Sequence, residues 1–453
     1  MKNHHLNVQL SLACFFGWLL AVPFSGPILE NLLQTTGTDG AAITLTFIGA
    51  HGLAYVFAGF GLWNLAPWKN IMRAAGTACL LIHLLILTAG PVVPWLSFSL
   101  LGIASAVFIL AWSVPYTNLI TDTQRIKYMA TIIIGANLIL FFLSILSRHL
   151  HPNVMMVVAA LPLALALYLA GIITPVTNPR KPAKGSEEFP TLLVAALALL
   201  VLIIYINGGL LYNLLYPSVI TASPTFEYVI LLPYTGMLVI MACLGGKMKK
   251  VLPVYLGAAL LGLAFVFFAL LNISFVSNLI IVVLTESAFA LLDLFVWTVP
   301  ATIALIYGRT YRVFGLVLAA NVASIFLGYI LGDHLLLSEQ YRFTSGLVAS
   351  GTLFLTFLLL PWLSEYLDQK FITDHKPLSI SLADKLTCSE PLTPREEEIL
   401  LLLLQGHSNK KTAALLFISE NTLKTHLRHI YAKLGISHKR ELFSLVAEKR
   451  NAK

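Results

Sequence analysis

The first 363 residues are a succession of apolar runs, each long enough to cross a lipid bilayer and each ended by proline, glycine or charge. That pattern leaves few folds open. The hydrocarbon core of a bilayer takes about 20 apolar residues per helical crossing. A backbone inside it must also satisfy its own hydrogen bonds, which runs of this length do as α-helices. Twelve runs are centred near residues 19, 54, 81, 106, 138, 164, 202, 235, 261, 292, 324 and 354. The first, Val8 to Leu29, lacks a clear small-residue cleavage site and is followed by more spans, so it is expected to remain as span one. The expected fold is all-α: a polytopic helix bundle of twelve spans over residues 1–363.

Loop charge orients the bundle. With the N-terminus inside, the inner loops hold Lys2, Lys69, Arg73, Arg125, Lys127, Arg180, Lys181, Lys184, Lys247, Lys249, Lys250, Arg309 and Arg312, while the outer loops hold only Arg148 and Arg342. Thirteen against two is a strong positive-inside asymmetry. An even number of spans then leaves both termini in the cytoplasm, where a prokaryote keeps its DNA. Cys14, Cys79 and Cys243 lie in spans and Cys388 in a cytoplasmic segment, so no structural disulfide and no metal site is expected.

The net charge of +8 is unevenly spread. Residues 391–453 carry 11 basic and 6 acidic side chains, a footing for a polyanion. A basic tail beside a membrane also suits acidic lipids, and charge alone does not choose between them.

The longest polar stretch between spans, Val176 to Pro190, follows span six and divides the membrane region into halves 1–175 and 190–363 around a central loop 176–189. The halves echo each other. Ala111-Trp-Ser-Val-Pro115 aligns with Val296-Trp-Thr-Val-Pro300 at an offset of 185, and Ala136-Asn137-Leu138 with Ala320-Asn321-Val322 at 184. A shared offset points to a duplicated six-helix unit. In this organisation the chain resembles the major facilitator superfamily, whose parallel repeats imply a ligand cavity between the halves near the bilayer midplane. One departure weakens the case for active transport. The superfamily usually carries a Gly- and Asp/Arg-rich signature between spans two and three, where this chain reads Gly61-Leu-Trp-Asn-Leu-Ala-Pro-Trp-Lys-Asn70, and only Gly245-Gly-Lys-Met-Lys-Lys250 keeps a basic echo.

Ionisable groups within a span cost roughly 2.5 to 3.5 kcal/mol at its centre on insertion scales, so each is a candidate for function. Glu286 and Asp293, seven apart in span ten, share one helix face about 10 Å apart. The pair could face a cavity and bind a cation, a proton or a basic ligand group, or else bond to neighbouring helices with one or both carboxyls protonated. Trp112 and Trp297, beside the repeated prolines, are candidates for lining the same ligand-sensing pocket or for plain aromatic packing. His51, His83, Asn137, Asn207 and Asn321 are read as helix-to-helix bonding groups, and Glu30, Glu227 and Asp333 as interfacial.

The tail is built from caps. Thr393-Pro394-Arg395-Glu396 reads as a capping box that opens a helix with an apolar stripe of Ile399, Leu400, Leu403 and Leu404, ended by Gly406. Ser408 opens a second helix over Asn409 to Leu416, and Ser419 caps a third running to about Leu434. Leu423, Leu427, Ile430 and Leu434 fall on one face of that third helix, so Asn421, Lys424, Thr425 and Arg428 project the other way. Lys and Arg can donate to guanine O6/N7, Asn can pair with adenine, and a Thr methyl can touch thymine in the major groove. A short helix, a tight turn and a longer polar-faced helix make a helix-turn-helix. A fourth helix after Gly435, capped by Ser437, carries Leu442, Leu445 and Val446, an apolar strip expected to dimerise.

Residues 391–453 closely resemble the LuxR-type DNA-binding domain. The matching residues are Leu392-Thr-Pro-Arg-Glu396, Gly406, Ser408-Asn-Lys410, Ile418-Ser-Glu420, Thr422, Lys424, His426, Ile430, Tyr431 and Lys433-Leu-Gly435. The resemblance implies groove-facing positions for Lys424, Thr425 and Arg428 and phosphate contacts for Lys410, Thr422 and Lys433, to which Lys411 and His426 are added. Lys411-Thr412 departs from the family, which usually has Glu and an aliphatic residue there. Between membrane and reader, residues 364–390 form a linker; a flexible chain of that length spans about 30 Å root-mean-square.

No phosphate loop, nucleophile elbow, kinase motif or receiver domain is visible, so no enzyme and no cofactor is expected. The expectation is a bacterial regulator in the cytoplasmic membrane: a multi-pass bundle senses a small molecule, and a homodimeric reader binds double-stranded promoter DNA. The alternative is a transporter of the major facilitator type with a regulatory DNA-binding tail.

Overall fold

In the first half of the membrane region, apolar length translates directly into helices: α1 (Lys2–Ala21), α2 (Gly40–Gly61), α3 (Trp68–Ala89), α4 (Pro94–Leu119), α5 (Arg125–Ser147) and α6 (Pro152–Ile172). The second half follows with α7 (Thr191–Leu210, continued by a π turn Leu211–Leu215 and by Tyr216–Ala222), α8 (Leu231–Leu244), α9 (Leu252–Leu270), α10 (Phe275–Tyr307), α11 (Thr310–Leu336) and α12 (Tyr341–Asp374). The structure is a computed structural model that describes residues 2–24, 28–29, 40–62, 67–89, 94–121, 124–173, 189–222, 230–244, 251–272, 274–374, 392–404, 408–409, 412–413, 416, 418–438 and 441–442. The chain divides into two units, Met1–Leu363 and Ser364–Lys453.

Among the described residues of the first unit, ten helices are long and apolar enough to cross a membrane, and His5–Ala21 and Leu231–Leu244 are shorter apolar helices. Two boundaries differ from the sequence reading. The first span closes at Ala21 rather than Leu29, because Pro23 has no N–H to continue the ladder; Val22 and Phe24 instead donate to the carbonyls of Trp18 and Leu19. The last span continues as helix past Leu363 to Asp374, so the start of the expected linker is helical.

Helix partners repeat with a shift of six. In the first half α2 and α3 pack on α4, and α1 packs on α5; in the second half α8 and α9 pack on α10, and α7 on α11. The same contacts in two copies are what a duplicated unit must form. Across the halves, α2 meets α11 and α5 meets α8. Glycine permits the closest of these crossings. A Cβ on Gly315 would lie 2.6 Å from the Tyr55 carbonyl, and one on Gly328 or Gly209 would collide with the facing backbone between α7 and α11.

Polar side chains inside the bundle find partners across helices. The Asn207 amide donates to Thr352 Oγ1 at 2.8 Å and accepts from it in return, and Trp18 Nε1 donates to His83 Nδ1 at 3.3 Å while His83 Nε2 meets the Met156 carbonyl at 2.8 Å. His51 lies between the Gly102 carbonyl, Ser105 and Tyr55. Arg125, read from sequence as a loop charge, is instead 1% exposed; its guanidinium donates to Thr302 Oγ1 at 2.8 Å and to the Thr117 carbonyl, linking the halves.

In the second unit α13 (Pro394–Leu404) opens on the expected capping box: the Thr393 N–H donates to Glu396 Oε2 at 2.8 Å and the Glu396 N–H to Thr393 Oγ1 at 3.3 Å. α14 (Glu420–Leu434) starts at Ser419, whose hydroxyl accepts the Thr422 N–H, and stops at Gly435 in the left-handed region with φ 68°. Between them, Thr412 donates its N–H to the Ser408 carbonyl and Leu416 donates to Thr412, the bonding of a helical turn. Ile399, Leu400 and Leu403 of α13 bury with Ala413, Leu423, Leu427, Ile430, Leu434 and Leu442, so this unit has a core of its own.

Thr412, the departure noted in the sequence, is fully buried in that unit, and its hydroxyl has no hydrogen-bond partner among the described residues. An unmet buried hydroxyl costs about 1–3 kcal/mol. Thr412→Val is therefore expected to stabilise a 385–453 fragment by about 1 kcal/mol, read as a higher midpoint in urea. An unchanged or lower midpoint would show that the hydroxyl is satisfied.

Candidate functional site

α14 has two faces set by its period. Leu423, Leu427, Ile430 and Leu434 point into the core, and Asn421, Lys424, Thr425 and Arg428 are all exposed on the opposite side. The structure therefore brings the four expected base-facing residues onto one surface. Thr425 Oγ1 donates back to the Asn421 carbonyl at 3.2 Å. Thr422 is exposed with its hydroxyl against Ser419 at 2.8 Å, and His426 is half-buried at the edge of the face.

Two expectations change here. Lys433 Nζ is 2.8 Å from Glu396 Oε2, with side chains only 18% and 5% exposed, so this ammonium closes an ion pair inside the unit rather than standing free for a phosphate. Burial works against ionisation of Glu396, but hydrogen bonds from Lys433 and Thr393 outweigh it and hold the carboxyl below the ordinary glutamate range. Leu442 is fully buried in the core and so is not available to a dimer. Packing within the unit claims both residues. Lys410, Lys411, Leu445 and Val446 lie outside the described residues.

In the first unit α10 carries the acidic pair. Asp293 accepts from the hydroxyls of Tyr205 on α7 and Tyr234 on α8, so both of its oxygens are bonded. Glu286, two turns away on the same helix face, is 5% exposed and its Oε1 has no hydrogen-bond partner among the described residues. It lies within electrostatic reach of Asp293 and Tyr212. The π turn Leu211–Leu215 of α7, a feature often found at functional sites, holds Tyr212 and Asn213. Asn213 is bonded to the Tyr329 carbonyl at 2.8 Å and to Asp333 at 2.7 Å.

Trp112 and Trp297 do meet, edge to face with ring centroids 6.3 Å apart. They meet as packing. Trp112 is fully buried, donates to the Val8 carbonyl at 2.8 Å and stacks on Tyr116, while Trp297 contacts Phe16 and Phe314. An apolar crease of about 570 Å3 lies on α3 and α4, lined by Ile71, Ala75, Leu100 and Ile103 among others, with no ionisable side chain in its lining.

Residues 390–446 match the family described as GerE, bacterial regulatory proteins of the luxR family. The carboxy-terminal unit is a luxR-type helix-turn-helix domain. Over 76 residues the chain is 37% identical to the HTH-type transcriptional regulator MalT of Serratia proteamaculans (strain 568) and 36% identical to that of Cronobacter sakazakii (strain ATCC BAA-894). These alignments cover 17% of this chain and 8% of either MalT, so they concern the luxR-type domain alone.

The first unit has the fold of major facilitator transporters. FucP, a transporter of that superfamily solved in the outward conformation, aligns with TM-score 0.65 at 9% identity, over 79% of this chain and 98% of its own. The human organic anion transporter MFSD10 (TETRAN) aligns with TM-score 0.60 at 15% identity, over 79% and 97%. A bacterial homologue of the iron transporter ferroportin aligns with TM-score 0.53 at 13% identity, over 80% and 99%. Likeness at such identity establishes the fold. The chain is thus a multi-pass membrane protein that carries a luxR-type domain.

Sequence reasoning missed three residues around these sites. Arg395 of the luxR-type domain donates to the Leu416 carbonyl at 2.7 Å, which ties the end of the second helix to α13. Tyr205 and Tyr234 on Asp293 left no signal either, since a tyrosine in a membrane helix is unremarked until its partner is known.

Proposed function

We propose that this protein is a membrane-bound one-component transcriptional regulator of a bacterial cytoplasmic membrane, with twelve spans and both termini cytoplasmic. The observation that carries the reading is the exposed Asn421, Lys424, Thr425 and Arg428 face of a luxR-type domain on the same chain as a major facilitator bundle. The membrane unit senses a small molecule, and the luxR-type domain binds promoter DNA as a homodimer. Ligand acts by binding one conformation of the bundle better than another; equal affinity for both would shift nothing. Loop charge, twelve basic residues against two once the buried Arg125 is set aside, supports the orientation.

The test is direct. A 385–453 fragment is expected to retard DNA from upstream of its own gene at low salt, and failure on any upstream DNA would overturn the reading. Lys424→Ala and Arg428→Ala are each expected to weaken the preferred sequence by about 1–3 kcal/mol, with relaxed base preference. If the weakening were equal on all sequences, the two side chains would be touching phosphate only.

The fold shared with transporters supports a second reading, a transporter with a regulatory DNA-binding tail. Flux in proteoliposomes that disappears in Glu286→Gln and Asp293→Asn would favour it. Ligand binding without flux favours the sensor.

A further inference from the structure

We propose that the ligand site of the membrane unit is the tyrosine-ringed carboxyl pair of α10, and that it takes an organic ammonium ion. This rests on the sensor reading above but is tested separately from it.

The two carboxyls are not equivalent. Asp293 is complete, with a phenol hydroxyl donating to each oxygen. Glu286 is incomplete. Its Oε1 is an acceptor, buried and unbonded among the described residues, in a setting where a lone charged group costs several kcal/mol. What the site lacks is a donor, and a cationic one suits two acids on one helix face. The surroundings narrow the cation. Tyr212 lies within electrostatic reach of Glu286, Tyr205 packs on Phe289 at 5.8 Å, and Tyr234 closes the ring over Asp293. Aromatic faces bind organic ammonium groups by cation–π attraction, with about 2 kcal/mol or more available where water is excluded. A small inorganic ion would prefer several oxygen ligands, whereas Asp293 has both of its oxygens occupied.

The site is not sealed. Tyr212 is 50% exposed, and Asp293 and Tyr234 are half-buried. Tyr212 also sits in the π turn, a geometry frequent at functional sites. Asn213 in the same turn is fixed to α11, so a movement of Tyr212 on ligand binding would be felt there.

The experiment uses the full chain in nanodiscs and three probes, phenethylammonium, tetraethylammonium and spermidine, with 2-phenylethanol and sodium chloride as neutral and inorganic controls. Binding is read as quenching of intrinsic fluorescence and as a rise in the melting temperature. At least one ammonium probe is expected to bind, with affinity reduced about tenfold or more in Glu286→Gln, which keeps the side-chain volume but removes the charge. Tyr212→Leu, at an exposed position that should fold normally, is expected to weaken the same probe and leave sodium unaffected. Failure of all three probes at millimolar concentration, equal binding of 2-phenylethanol, or a response to sodium alone would each overturn the inference. The regulator reading is judged by a different readout, the retention of DNA by the 385–453 fragment, so either can fail without the other.

Discussion

Glu396→Ala is expected to unfold the luxR-type domain and so abolish DNA binding by the whole protein. One carboxylate holds two things at once: it accepts the Thr393 N–H that begins α13 and it pairs with Lys433 in the last turn of α14, with a side chain only 5% exposed. Removing one partner of a buried pair costs about 3–5 kcal/mol. Some water reaches Lys433, so the low end, about 3 kcal/mol, is expected here. A core of this size rarely supplies more than about 3–5 kcal/mol, so the loss is comparable with the whole stability of the domain. The check is circular dichroism and urea unfolding of the 385–453 fragment. Glu396→Gln with Lys433→Met is expected to recover most of the loss, because Gln still serves the capping box and no unpaired charge remains. If Glu396→Ala shifted the midpoint no more than a surface substitution does, the ion pair would be incidental.

The same pair sets an acid limit. The folded carboxyl titrates below the ordinary value, so its stabilisation is complete above the unfolded glutamate pKa, about 4.3, and is lost as pH falls through the lower folded value. The acid unfolding midpoint of Glu396→Gln should therefore lie closer to neutral pH than that of the native fragment.

The second large effect is in the membrane unit. Gly328→Ala is expected to destabilise the bundle by about 3 kcal/mol, because its Cβ would lie on the Ile206 carbonyl, a backbone atom that cannot rotate away. α7 and α11 would have to separate, and with them the face that carries Tyr205 and the π turn. Gly351→Ala and Gly49→Ala are the controls, since a Cβ at either meets nothing within 4 Å. Thermal unfolding of the full chain in detergent should show a large fall for Gly328→Ala and none for the controls. Equal behaviour of all three would mean that the crossing is loose.

Much of this was legible in the chain. After the first, whose helix Lys2–Ala21 lies N-terminal to its expected centre, the apolar runs form helices near their expected centres, and the 185-residue echo reappears as the same helix pairings six apart. The capping box, the Ser419 cap, the Gly435 stop and the buried face of α14 are local, built from residues within one or two turns, so spacing was enough to find them. Apart from the two helix ends, the errors were long-range. Nothing near Lys433 announces Glu396, 37 residues away, and nothing near Leu442 says that a core will absorb it. Arg125 looked like a loop charge because the threonine that holds it, Thr302, is in the other half.

By itself, then, the sequence determined the helices, the repeat, the luxR-type domain and the polar face of α14, because each follows from periodicity, length or a cap. Only the tertiary structure decided how buried polar groups are shared. It gave Lys433 to Glu396, satisfied Asp293 with two tyrosines from different helices, and left Glu286 Oε1 without a hydrogen-bond partner among the described residues. A hydrogen bond needs atoms within about 3 Å, and for groups far apart in the chain that distance is set by packing.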